Sequence, residues 1–398
     1  MRIPLLGFLL IVLNIFSTTL IGQGKDTGTD PKKNLPKEVE KANAAYDAQQ
    51  YSDAIELLKD ALTEVKGRDD KSEVLFKLAE CYRKTLDYTN AAKYYERAMK
   101  VGYKNSDAQL YYAQMLKSQG EYEEALIVFQ EYRQKEPTDP RGEIGVESTR
   151  NAIEWMKQPS RYQVDNLTSL NSAAMDFAPV IAGKRADDNT LIFTSNREES
   201  TGKKQNGWTG GDFADLYISE AERKTSGRRG RGKVDPNKVE SPVDLKWSTL
   251  TLLDEGMLNS ESDDGSAVFD SRRKELYFTR CMYEKNKKFE CGIYLTEKVG
   301  TTWRAPEAII VGGDTAANIG QPSLSEDDKI LYFVSTAFGA KGHDIFMTTF
   351  DRRSKMWKTP KNLGPKVNTN EEEYYPFVHK DGYLYFASDG LPGMGGLD

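Results

Sequence analysis

Two periodicities divide the chain. From about Pro36 the apolar positions recur at helical spacing: Tyr51, Ala54, Leu58 and Ala61 return as Tyr88, Ala91, Tyr95 and Ala98, then as Tyr122, Ala125, Phe129 and Tyr132. Residues three or four apart share one helix face, so each set is a single stripe. Ala54, Ala91 and Ala125 lie 37 and 34 residues apart. Leu75, Leu78, Ala79 and Tyr82, then Tyr112, Ala113 and Leu116, mark the partner helices that precede two of these stripes. Turns are predicted at Leu86-Asp87, Ser118-Gln119-Gly120 and Glu136-Pro137, and a further helix around 141–157 carries Val146, Ile153, Trp155 and Met156.

After Gln158-Pro159 the stripes give way to short alternating runs. One motif comes four times: Leu191-Ile192-Phe193-Thr194-Ser195, Leu276-Tyr277-Phe278-Thr279-Arg280, Leu331-Tyr332-Phe333-Val334-Ser335 and Leu384-Tyr385-Phe386-Ala387-Ser388. Each follows a charged turn, Asp187-Asp188-Asn189, Arg272-Arg273-Lys274, Glu326-Asp327-Asp328 or Lys380-Asp381-Gly382. A strand candidate precedes every turn. A third strand follows the first three motifs at Asp215-Leu216-Tyr217-Ile218, Gly292-Ile293-Tyr294-Leu295 and Asp344-Ile345-Phe346-Met347. Trp303-Arg304-Ala305-Pro306 and Trp357-Lys358-Thr359-Pro360 occupy matching places between repeats.

The helical stripes resemble a tetratricopeptide array over about residues 36–136, with the 141–157 helix as its cap. The first repeat departs from that pattern, having Ala42 and Ala45 where a larger aromatic is usual. Such stacks present a concave face made by the first helix of each pair. The resemblance puts Asn43, Tyr46, Asp47, Arg83, Lys84, Gln114 and Lys117 on that face, a mixture of charges and aromatics that could serve as a partner-binding groove or be a solvated surface. The four-strand units, about 50 residues long, have the form of propeller blades. In detail they resemble the WD40-like (PD40) repeats also found in TolB-type periplasmic proteins. The predicted class is therefore α + β and multidomain: a helical tetratricopeptide solenoid over 36–158, then an all-β PD40 propeller over 165–398.

Two irregularities stand out in the second half. The motif phenylalanines 193, 278, 333 and 386 are 85, 55 and 53 apart, so the first interval holds a surplus. It contains Arg223, Lys224, Arg228, Arg229, Arg231 and Lys233 among glycines, with no aromatic interleaved. Such a segment can bind RNA or a membrane surface, but a solvated loop insertion is the preferred reading, with contact to an acidic partner as the alternative. Secondly, Asp398 matches Asp344, after which the third repeat continues along a strand. The propeller is thus expected to be incomplete in this sequence, with more of the natural chain to follow.

The first 22 residues have their own pattern: Met1-Arg2, an apolar run from Leu5 to Phe16, small or polar residues, and a cleavage point after Gly22. That is the layout of a secretory signal peptide, with an uncleaved anchor as the alternative. Residues 23–35 read as a flexible polar leader. No other stretch is apolar and long enough to span a bilayer. The formal charge of −6 gives no reason to expect nucleic acid as a partner, and 11% aromatics with 38% hydrophobic residues provide for real cores.

Chemistry is sparse. Two histidines and three cysteines cannot build a Cys₄ or His₃ zinc site. There is no G-x-S-x-G, phosphate loop or H-E-x-x-H. Asp263-Asp264-Gly265 lacks the rest of a calcium loop and is assigned to a turn, and Glu371-Glu372-Glu373 are read as loop acids. Asn166-Leu167-Thr168 has the form of a glycosylation sequon, useful only in a eukaryotic secretory pathway. Cys281 ends one predicted strand and Cys291 begins the next, so an exported protein could bridge them, whereas Cys81 on the helical stripe reads as a core residue. Neither an enzyme nor a cofactor is expected.

The combination of signal peptide, tetratricopeptide stack and PD40 repeats resembles exported proteins of Bacteroidota in which these modules precede an OmpA-like peptidoglycan-binding domain. PorE-like members belong to the type IX secretion and gliding machinery. The resemblance implies a periplasmic scaffold whose partners are envelope or secretion-system proteins, with peptidoglycan reached through a domain absent here. Its alternatives are the propeller of a secreted serine peptidase and a TolB-like envelope partner.

Overall fold

A computed structural model describes residues 36–158, 163–182, 190–202, 205–222, 245–254, 257–284, 287–288, 290–313 and 318–398. The expected signal peptide (1–22), the leader (23–35), the basic stretch from Arg223 to Lys233 and the Asp187-Asp188-Asn189 turn lie outside the described residues. Residues 36–398 form one unit.

Seven helices come first: α1 (Lys37–Asp47), α2 (Tyr51–Glu64), α3 (Arg68–Lys84), α4 (Tyr88–Val101), α5 (Asp107–Ser118), α6 (Tyr122–Lys135) and α7 (Pro140–Lys157). Each packs on its neighbour in sequence. The stripe alanines explain the closeness: Ala54, Ala91 and Ala125 are fully buried, with Leu58, Tyr95 and Phe129 filling the space beside them. The turns within pairs need a left-handed residue, supplied by Gln49 (φ 60°), Leu86 (φ 62°) and Gly120 (φ 81°). Asp87 then caps α4, its side chain accepting from Asn90 N at 3.0 Å. Gly145 lets α7 close on α6, since a Cβ there would run into the Phe129 ring. The smaller Ala42 and Ala45 of the first pair are buried with Val39, so α1 forms despite its departure from the pattern.

Four antiparallel sheets follow. The first contains β1 (Asp176–Ile181), β2 (Thr190–Ser195), β3 (Asp215–Glu220) and β4 (Thr251–Leu252). The second holds β5 (Asp263–Phe269), β6 (Glu275–Met282), β7 (Glu290–Val299), β8 (Thr302–Trp303) and β9 (Glu307–Ala308). The third holds β10 (Ile319–Leu324), β11 (Ile330–Ser335), β12 (Asp344–Asp351), β13 (Met356–Trp357) and β14 (Lys361–Asn362). The fourth is the pair β15 (Glu373–Val378) and β16 (Leu384–Ser388). The first strands of all four sheets line one open groove of about 1000 Å³, and Phe177 of β1 meets Tyr375 of β15 edge-on at 6.2 Å.

The motif of β6 is apolar on both faces because it is buried on both. Leu276 and Phe278 of β6 point back to the first sheet, packing with Ile192, Leu216 and Trp303, while Tyr277 points forward to Leu331, Phe333 and Trp357 of the third. A second device ties sheet to sheet. Every first strand has a two-residue bulge whose leading residue is left-handed without being glycine: Ala178 (φ 49°), Ser266 (φ 49°), Gln321 (φ 52°) and Tyr375 (φ 54°). The bulge N–H is met from the preceding sheets. Ser266 N donates to Thr194 Oγ1 (2.9 Å) and Gln321 N to Thr279 Oγ1 (2.7 Å). Gly265 and Gly320 permit this approach, since a Cβ would lie 2.5 and 2.9 Å from the two threonine methyls. The third motif has Val334 at the threonine place, and the side chain of Gln321 substitutes, its Oε1 accepting from Tyr375 N at 2.7 Å.

Asp263 and Asp264 sit within β5 and not in a turn; Asp264 is fully buried and paired with Arg280 at 2.5 Å. Their adjacent carboxyls thus serve strand-end pairing, which alternation alone does not announce. Cys281 and Cys291 face each other across β6 and β7 with their sulfurs bonded, and Cys81 is a buried free thiol.

Candidate functional site

The residues that the sequence assigns to a concave helical face fall into two groups. Asn43 and Tyr46 of α1 are tied by Lys77 of α3: its Nζ donates to Asn43 Oδ1 at 2.8 Å and lies 5.4 Å from the Tyr46 ring centroid. Asp47 is exposed beside them. Arg83, Lys84, Gln114 and Lys117 instead line a cavity of about 150 Å³, whose opposite wall is the chain's own β region.

Arg83 is held from within the stack. Its guanidinium donates to both Glu80 oxygens (2.8 and 3.2 Å) and to Tyr95 Oη (3.2 Å), and lies 4.4 Å from the Tyr111 ring centroid. Burial opposes ionisation of Glu80, but the Arg83 charge and hydrogen bonds from Arg83 and Tyr95 keep its carboxyl below the ordinary value. Lys84 reaches outward from the end of α3, its Nζ 2.8 Å from Glu372 Oε1. Lys117 Nζ donates to Ser148 Oγ of α7 at 2.6 Å, and burial pushes its amine down.

The facing wall comes from three loops. Before β15, Thr369 donates from N and Oγ1 to Glu373 (2.9 and 2.7 Å), and its Oγ1 accepts from Glu371 N at 3.0 Å. This fixes Glu371 and Glu372 against the helices. Glu373, grouped with them as a loop acid in the sequence, is the buried first residue of β15. After β16, Gly393 is bracketed by Ser148, whose Oγ accepts from Gly393 N (2.9 Å) and donates to Gly393 O (3.0 Å). Gly395, at φ 128°, passes so near α5 that a Cβ would lie 2.8 Å from Lys117 O. Between β2 and β3, Trp208 Nε1 donates to Lys84 O at 3.1 Å, its ring meets Tyr51 edge-on at 4.9 Å, and Gly207 O accepts from Ser52 N at 2.9 Å.

The acids of this wall titrate unequally. Burial, with Asp389's charge added, pushes Glu371 up to about 7, and Asp389 is also raised by burial. Partial burial opposes ionisation of Glu372 too, but His343 (Nδ1 at 2.6 Å) and Lys84 overcome that cost and hold it well below the carboxylate range. The arrangement joins two regions through opposite charges and backbone hydrogen bonds. Among the described residues no group of three or more His, Cys, Asp or Glu side chains could hold a metal ion, and no helix is long and apolar enough to cross a membrane.

Trp208, Ser148, Arg141 and Gly393 were not singled out from the sequence, and Gly395-Gly396-Leu397-Asp398 was noted only for its likeness to PD40 repeats. One signal was available: Ser195 to Asp215 is a far longer connection than Ser335 to Asp344, and it contains a tryptophan between glycines.

A family model described as tetratricopeptide repeat matches residues 39–98 and 76–140, so residues 39–140 are a tetratricopeptide-repeat region. Similar solved structures include the Arabidopsis OM64 TPR domain, at 23% identity and TM-score 0.26, covering 29% of this chain and 92% of that one. The Sgt2 TPR domain from Aspergillus fumigatus is similar at 23% identity and TM-score 0.28, covering 36% of this chain and 94% of that one. No curated protein matches the chain. Repeats of this type build protein-binding surfaces, so the helical region is a protein–protein interaction scaffold.

Proposed function

We propose that the protein is a non-enzymatic scaffold of the bacterial cell envelope, exported to the periplasm and accessory to the type IX secretion and gliding machinery. In this reading the four sheets are blades of a PD40-type β-propeller. The partners are other envelope or secretion-system proteins, held through helical and propeller surfaces. The observation that carries it is the direct contact of a tetratricopeptide-repeat region with a repeating β region, by Lys84–Glu372, Ser148–Gly393 and Trp208–Lys84. A joined pair of modules suits a part that spaces other proteins, and the order of modules supports the envelope assignment by architecture.

The test is crosslinking in cells of the organism that makes the protein, followed by capture with an antibody to residues 36–158 and mass spectrometry. Recovery of outer-membrane and secretion-machinery proteins is expected, with the protein itself in the periplasmic fraction. Recovery of the protein alone, or from the cytoplasm, would overturn the reading.

A further inference from the structure

Carboxylates outnumber available cations where the helices meet the β region. Arg83 is committed to Glu80 (2.8 Å) and Lys84 to Glu372 (2.8 Å). Arg141 is shared by Asp139 (2.6 Å) and Asp107 (2.8 Å), and reaches Glu371 only at 3.9 Å. Lys117 is bound to a hydroxyl. Glu371 and Asp389 thus remain half-buried, with Arg141 at 3.9 Å as the nearest cation to Glu371, although Asp389 Oδ1 accepts from Glu372 N at 2.8 Å. Like-charged carboxyls in such a place cannot both ionise cheaply.

We propose that this junction is a pH-operated clasp, closed while Glu371 holds a proton and loosened when it ionises beside Asp389. The groups facing them are Arg83 and Lys84 of α3, Tyr88 of α4, Tyr111 and Lys117 of α5, Arg141 of α7, His343 before β12, and Glu372 and Tyr374 around β15. Loosening the clasp uncovers Arg83, Lys84, Gln114 and Lys117 together, so one proton's loss opens a whole helical face.

The direction follows from linkage. Glu371 stands at about 7 in the folded chain against an ordinary 4.5, so the closed form binds more protons across that window. Closure is therefore favoured at the acid end and weakens as pH rises through the window. Glu372 is displaced the other way, and its contribution is lost only on strong acidification. Lys117, depressed by burial, acts in the opposite sense as it loses its proton.

Hydrogen–deuterium exchange of the full chain, corrected for intrinsic rates, tests this at about pH 6 and about pH 8. Peptides covering the ends of α3 and α5 and residues 388–398 should lose protection about tenfold at the higher pH, a one-unit coupling. Peptides of β6 and β7 should not. Glu371→Gln should keep the closed level at both pH values, and Lys84→Ala should be open at both. Equal behaviour of junction and β6–β7 peptides, or an unchanged pH response in Glu371→Gln, would overturn the proposal. If circular dichroism shows that Glu371→Gln does not fold, Asp389→Asn gives the same readout.

Discussion

β6 and β16 carry the same three residues in the same place, Leu276-Tyr277-Phe278 and Leu384-Tyr385-Phe386. In β6 all three are buried, and Tyr277 is 7% exposed because the third sheet lies over it. In β16 the backward-facing Leu384 and Phe386 are half-buried, but Tyr385 is 54% exposed, and Phe377 beside it 55%. The local pattern decides that a strand forms and which side chain takes which face. Whether that face is dry depends on a neighbouring sheet contributed by a distant part of the chain.

The largest difference should appear on truncating the third residue of each motif. Phe278→Ala should lower stability in urea unfolding by about 3–5 kcal/mol, and Phe386→Ala by about 1 kcal/mol. Equal losses would break the comparison. Next is the bond handed between sheets. Thr279→Val strands Gln321 N and should cost about 1–3 kcal/mol, read as a shifted denaturation midpoint with an unchanged slope. Gln321→Leu removes the substitute acceptor at Tyr375 N and, at that more exposed position, should cost about 1 kcal/mol. The smallest effects belong to the open face, where Tyr385→Ser and Ala387→Thr should each stay within about 0.5 kcal/mol by the same measurement.

Helices and sheets were legible for a common reason: each buries a face at a fixed period, so Tyr51 to Ala61 and Leu276 to Phe278 disclose their roles by spacing alone. The bulges were not. Ala178, Ser266, Gln321 and Tyr375 share a backbone shape and no side-chain type, and the one letter that recurs is the proline after three of them, Pro179, Pro322 and Pro376, which marks a break in the ladder without saying which residue turns left-handed. The junction was hidden differently. Arg83, Lys84, Gln114 and Lys117 could be placed on one helical face, but what faces them comes from 371–372, 389–397 and 207–208. Those loops have no period, and their acids look like ordinary loop acids until the fold brings them to the cations.

The atoms that join Trp208, Gly207 and Gly393 to the helices have a further consequence for descent. Lys84 is addressed through its carbonyl, Ser52 through its amide, and Ser148 grips the main chain of Gly393. Such contacts survive most point substitutions on at least one side, so related chains can drift apart in letters here without losing the union. Paired substitutions across the boundary would be scarce, and a search for co-evolving positions would underrate it. Insertions and deletions are what it cannot absorb: one residue added between Gly390 and Gly395 shifts the gripped peptide out of reach. Relatives that keep this union should therefore be recognised by conserved loop lengths before conserved residues.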